Sequence, residues 1–154
     1  MTDFLDDPQA LAEAVGRELY ARDRNAQSVG IQLDEIRPGF ARMHLKIRPE
    51  MTNSHDICHG GVIFTLADTA FAYACNSYNH NTVASSCSID FVAPAHAGET
   101  LTAVAEERAR SGRTGVYDIE IMNGQEHVVA YFRGKSYRVK GEVVQRTASN
   151  DQTP

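Results

Sequence analysis

The stretch that most constrains this chain is VIFTLADTAFAYACNSY, which begins directly after Gly60 and Gly61. Apolar residues fall on nearly every side of it at helical spacing, the pattern of a helix buried all round. Its β-branched and aromatic residues would suit a strand, but the run is longer than ordinary strands. Such a helix needs cover, so the rest of the chain has to supply a sheet for it. One carboxylate, Asp68, stands inside the apolar run.

Residues 7–24, DPQALAEAVGRELYARDR, open with Asp at the N-cap and Pro at the first helical position, and space Leu11, Val15 and Leu19 four apart. This predicts a short amphipathic helix. Next come Ile31 and Leu33, the turn RPGF, and Ala41, Met43, Leu45 and Ile47 alternating with Arg42, His44 and Lys46. That pattern predicts a hairpin with one buried face. Residues 49–59 read as a polar loop. Beyond the long helix, residues 82–92, 99–110, 115–123 and 126–139 read as strands joined by the turn-forming segments APAHAGE, SGRTG and NGQE. The expected fold is α+β, with the second half an antiparallel meander that covers one long helix. An extra N-terminal helix within residues 1–24 is expected to belong to the same domain as residues 25–141, and residues 142–154 form a polar tail.

Composition narrows the function classes. A chain of 154 residues fits one domain, and its 15 basic residues are scattered in a net charge of −5, which argues against a nucleic-acid partner. The start, MTDFLDDPQA, has no basic segment followed by an apolar one, and no run of about 18 apolar residues is present, so a cytoplasmic protein without a membrane span is expected. Cys58, Cys75 and Cys87 are odd in number and far apart, as expected of reduced thiols.

His55 and His59 stand four apart with Asp56 between them, a spacing that on a helix would set two imidazoles on one face for a metal, with His44, His80 or Asp90 as a third ligand. But Gly60 and Gly61 follow at once, where such a helix would have to continue. The glycines read better as the start of the next helix, and no metal is expected.

Burying Asp68 costs several kcal/mol unless something solvates it. One resolution is structural, a hydrogen bond from Thr65 or Thr69. The other is functional. A glycine-led helix start offers free backbone N–H groups and a positive dipole end to an oxyanion, and a carboxylate beside such a donor is the minimal kit for acyl transfer. Gly60 and Asp68 are eight residues apart, about 12 Å along a helix, so they cannot serve one carbonyl from the same chain. Two copies packed antiparallel about a two-fold axis would bring Gly60 of one to Asp68 of the other.

The segments NSHDICHGGVIFTLADTAFAYACNS, DFVAPAHAGETLTA, TGVYDIEI and FRGKSYR resemble the hotdog-fold acyl-CoA thioesterases of the phenylacetic acid degradation (PaaI) type, over roughly residues 25–141. The resemblance implies an antiparallel sheet wrapped around a long central helix, dimers with a continuous sheet, and commonly a tetramer as a dimer of dimers. It implies Asp68 as general base or nucleophile, Gly60 as the oxyanion donor, and Asn53 and His59 as active-site loop residues that position water, substrate or the loop itself. The implied substrates are aryl-acetyl thioesters of coenzyme A, including ring-hydroxylated phenylacetyl-CoA. Coenzyme A is then part of the substrate, and no separate cofactor is expected.

Around this kit, Gly61 and Thr69 are candidate substrate contacts. Arg110, Arg113, Arg133, Lys135 and Arg138 are candidates for the phosphates of coenzyme A. Thr69 can instead bond back to its own helix. Phe64 and Phe71 fit either an aryl pocket or plain core, Tyr73 fits core or pocket wall, and Cys58 beside His59 fits inert packing or thiol catalysis. Competing roles on the same fold are a non-catalytic acyl-CoA binding or sensing module, in which the acidic residue would be missing, and a hydratase, whose Asp-x-x-x-x-His pair is absent here.

Overall fold

The computed structural model describes residues 4–146. Helix α1 (Pro8–Arg22) starts where the Asp7 carboxylate accepts the Ala10 N–H at 3.0 Å, with Pro8 in the first turn. The helix expected over 7–24 is in fact cut at Asp23, which leaves helical geometry and caps a second short helix, α2 (Arg24–Val29), by accepting the Ala26 N–H. Gly30 ends α2 at φ +89°, a left-handed conformation that favours glycine. The other Asp23 oxygen accepts the Tyr73 hydroxyl at 3.1 Å, tying this break to the central helix.

That helix is α3 (Gly60–Asn76). Six strands pair antiparallel in the order β1-β2-β4-β5-β6-β3: β1 (Gln32–Arg37), β2 (Phe40–Lys46), β3 (Thr82–Phe91), β4 (Thr100–Ser111), β5 (Thr114–Met122) and β6 (Val128–Arg138). A hairpin and a meander are both present, but the meander covers only β4, β5 and β6. Strand β3 lies at the far edge, with Ile89 opposite Phe132 and Phe91 opposite Ala130 of β6. Each strand's own alternation specifies a buried face and leaves its neighbour open, so the position of β3 was not readable from its residues.

The sheet buries one face against α3. Leu66, Ala67, Ala70, Phe71 and Ala74 of the helix meet Met43, Leu45, Leu101, Ala103, Ile119, Ile121 and Phe132 in one core cluster. Phe64 and Phe71 both pack on Phe132, with ring centroids 5.2 and 6.1 Å away. Phe71 is therefore core, and Phe64 is a partly buried residue packed against it. A side chain at Gly134 would come within 2.8 Å of the Phe71 ring, so only glycine lets the helix approach β6 there. The sheet and central helix make the expected hotdog arrangement, with α1 as the extra N-terminal helix.

Val143 is buried with Leu5, Leu11 and Val15, so the polar tail begins with residues docked on α1. Residues 147–154 of that tail lie outside the described residues. Among the described residues no helix is long and apolar enough to cross a membrane.

Candidate active site

The loop before α3 fixes where the helix starts. The Asn53 side-chain oxygen accepts the His55 N–H at 2.9 Å, and the Asn53 N–H donates to the Ile57 carbonyl at 2.9 Å, closing the loop on itself. The Cys58 N–H then donates to Ala95 and the His59 N–H to Met51, at 2.7 and 2.8 Å, pinning the loop to its surroundings. His59 is the N-cap: its Nδ1 accepts the Gly61 N–H at 3.1 Å. An accepting Nδ1 places the proton of the neutral ring on Nε2.

This cap takes one of the free donors at the helix start and leaves another. Among the described residues nothing accepts the Gly60 N–H, and the Asn53 side-chain amide likewise has no acceptor. Both residues line one cleft of about 390 Å³, whose other walls include Ile57, Ile63, Phe91 and Val92. An unpaired backbone donor at the positive end of a helix, facing an apolar cleft, is suited to hold the oxygen of a polarised carbonyl.

Asp68 is two turns farther along and does not line this cleft. It is half-buried, and no hydrogen bond or ion pair reaches its carboxylate among the described residues. The structural resolution fails on geometry: the Thr65 hydroxyl donates to Gly61 O at 2.9 Å, and the Thr69 hydroxyl to Thr65 O at 2.6 Å. Burial pushes the Asp68 pKa above the usual carboxylate value, which makes the ionised group a stronger base. Burial first, and the Asp68 charge second, raise the Cys87 thiol, and the same two effects act on Cys75, pushed up to about 12. Cys75, seven residues on, shares the Asp68 side of α3, and Cys87 of β3 lies within electrostatic reach of that carboxylate. Cys58 is pushed up to about 11 by burial alone, so it stays protonated and unreactive at neutral pH.

The other expected contacts are dispersed. Arg110 stacks on the Tyr78 ring at 3.6 Å and pairs with Glu107 at 2.8 Å, near the C-terminal end of α3. Arg133 is held on Asp118 by bonds of 2.6 and 2.8 Å, on the other face of the sheet from α3. Arg113 donates to the Arg138 carbonyl at 3.4 Å, and Lys135 is exposed. Tyr73 is core, with its hydroxyl on Asp23. His55 is exposed on a loop, and among the described residues no group of three His, Cys, Asp or Glu side chains is placed to hold a metal. Sequence reasoning assigned no role to Phe91, an aromatic that ends a strand within the segment DFVAPAHAGETLTA.

The Thioesterase superfamily model matches residues 55–130, a span that holds His59, Gly60 and Asp68. The chain belongs to the thioesterase superfamily, with the hotdog fold, and is a thioester hydrolase. It is 50% identical over 125 residues to the acyl-coenzyme A thioesterase PaaI of Escherichia coli strain K12, covering 81% of this chain and 89% of that protein. The structure of the E. coli PaaI protein from the phenylacetic acid degradation operon superimposes with a TM-score of 0.87 at 47% identity, covering 88% of this chain and 99% of that one. A mutant of the phenylacetic acid degradation protein PaaI from Thermus thermophilus gives 0.73 at 33% identity, covering 76% and 100%.

Proposed function

We propose that the protein hydrolyses aryl-acetyl thioesters of coenzyme A, phenylacetyl-CoA or its ring-hydroxylated forms, to the free acid and CoA in phenylacetate catabolism. Asp68 of one subunit and the Gly60 N–H of another act on the same carbonyl. The observation that carries this reading is that one helix holds an unpaired donor at its start and an unpaired carboxylate eight residues on, about 12 Å apart.

Strand β3 suggests how two copies complete a site. It runs beside α3 in the opposite sense, with Phe91 against Gly60 and Cys87 within electrostatic reach of Asp68. Four residues of strand span about 13 Å, matching the helical separation. The free edge of β3 is long, and Val83 and Phe91 on it are 51% and 53% exposed, as expected of a strand that pairs with another. Antiparallel pairing of β3 with its own copy about a two-fold near Ile89 would set Phe91 opposite Cys87 of the second subunit. Gly60 of each copy would then approach Asp68 of the other. A tetramer, as a dimer of such dimers, would use the outer face of the sheet, where Tyr131 and Tyr137 are 47% and 44% exposed.

In the site, the thioester oxygen accepts the Gly60 N–H, and the α3 dipole stabilises the charge that grows on it. Ionised Asp68 either takes a proton from the attacking water or attacks the carbonyl itself. In both routes the C–S bond breaks, CoA leaves as the thiolate and is protonated, and water supplies the oxygen of the released acid. His59 holds the helix start, and Asn53 offers its free amide to the substrate or water. The non-catalytic binding reading is disfavoured by Asp68, a half-buried carboxylate that no structural partner satisfies among the described residues.

The test is subunit complementation. Asp68→Asn should fold, keep its oligomeric state and lose thiol release by at least about a hundredfold. Gly60→Pro removes the N–H at the first helical position and should lose about 10²–10³ in kcat, with its oligomeric state followed as well because the added Cβ meets the Phe91 ring at 3.0 Å. Co-expressed as a mixed dimer, the two variants should regain one working site. Mixed dimers as inactive as the parents would refute the shared site, and wild-type turnover in Asp68→Asn would refute the mechanism.

A further inference from the structure

The cleft in front of the Gly60 N–H has a polar end and an apolar wall, and one residue joins the two. Phe91 is 53% exposed at the end of β3. Its ring lies so close to Gly60 that a side chain added there would meet the ring's far carbon at 3.0 Å and the next at 3.3 Å. Glycine at this position therefore does two things: it opens the helix, and it lets an aromatic ring stand beside that free backbone donor. Ile57, Ile63, Val92 and Pro94 continue the wall in a volume of about 390 Å³. Of the two phenylalanines on α3, Phe71 is buried in the core and the partly buried Phe64 packs edge-on against Phe132, and neither lines this cleft.

Resting on the thioesterase reading above, we infer that Phe91 is the residue that selects an aromatic acyl group. A carbonyl oxygen held at the Gly60 N–H puts its acyl substituent within a few ångströms of the Phe91 ring. An aryl group separated from the carbonyl by one methylene reaches that ring, where offset or edge-on contact is favourable beyond the area it buries. An acetyl group is too short to reach, and a straight alkyl chain gains only burial. The cleft then takes the acyl group, and the pantetheine arm runs outward over the subunit boundary.

The experiment compares Phe91→Ala and Phe91→Leu with the wild type on phenylacetyl-CoA, butyryl-CoA and acetyl-CoA by thiol release, with sedimentation to follow assembly. Phe91→Ala should lower kcat/KM for phenylacetyl-CoA about tenfold relative to acetyl-CoA, and Phe91→Leu, which keeps apolar bulk without a ring face, by less. Assembly should be retained. An equal loss on all three thioesters, or a change in assembly that accounts for the loss, would make Phe91 a general or interface contact and overturn the inference while leaving the thioesterase reading intact. A wild type that cleaves none of the thioesters would overturn that reading, and this inference with it.

Discussion

The two ends of α3 are built on opposite rules. At its start, the Gly60 N–H and the Asn53 amide lack partners among the described residues and open into a cleft. At its end, polar groups are answered several times over. Asn76 donates to Ala72 O and Thr82 O and accepts the Thr82 N–H, at 2.8, 2.9 and 3.0 Å. The Ser77 hydroxyl donates to Ala74 O at 2.7 Å and accepts the Gly39 N–H at 2.8 Å. Asn79 pairs with both backbone groups of Val144, and Glu107 accepts the Tyr78 and Tyr117 hydroxyls together with Arg110. A saturated end anchors the helix. An unsaturated start stores donors that a substrate can use, and the anchor is what allows that cost to be carried.

Substitutions can separate the two. The largest effect belongs to the start, where Gly60→Pro should remove about 10²–10³ of kcat in molecules that remain folded, with the Phe91 ring shifting away from the added Cβ that it meets at 3.0 Å, read from thiol release and a thermal scan on one preparation. At the other end, Glu107→Gln should do the reverse. Losing the charge that organises two tyrosines and Arg110 should cost about 1–3 kcal/mol in denaturant unfolding, with turnover per folded molecule retained. If Glu107→Gln destroys activity in molecules that remain folded, the division between the ends is wrong.

A smaller effect sits at the cap. His59→Ala should cost about 0.5–2 kcal/mol and lower activity, because the Gly61 N–H is released and the helix start loosens. His59→Asn, whose side-chain oxygen can still accept that N–H, should restore most of both. Failure of Asn to rescue activity while it rescues stability would make His59 a direct participant, not a positioning residue.

The smallest effect is a pH dependence of stability. Burial raises the Asp68 pKa in the folded protein, so the native state holds that proton more tightly than the unfolded chain. The contribution is present below the ordinary carboxylate pKa and is lost as pH rises through the raised value. Asp68→Asn should therefore melt higher than wild type at neutral pH and converge with it in acid. The acid limb of kcat/KM should fall above the ordinary carboxylate range, since Asp68 must be ionised to act. A melting difference that grows toward low pH would have the wrong sign.

Much of this was legible in the residues because it is local. The glycine pair, the uninterrupted apolar run and the lone Asp68 specify a buried helix with a free start and one misplaced charge. The Asp7 cap and Pro8 likewise specify α1. The break at Asp23 was hidden because the same residue ends one helix and begins the next, which a single periodic pattern does not reveal. The NGQE connection closes β5 and β6, but the left-handed position falls on Glu126 at φ +61°, while Asn123 organises the turn by accepting the Gln125 and His127 N–H groups.

The sequence by itself determined that a carboxylate and a helix-start donor lie about 12 Å apart on one rod, because helical rise is fixed by the backbone. Only the tertiary structure decided which donor is free, since the His59 ring takes the Gly61 N–H and leaves that of Gly60. Only it sent β3 to the sheet edge, where Phe91 meets Gly60 and Cys87 comes within reach of Asp68. Strand order follows from the burial summed over the whole sheet against α3, and no strand carries that sum in its own residues.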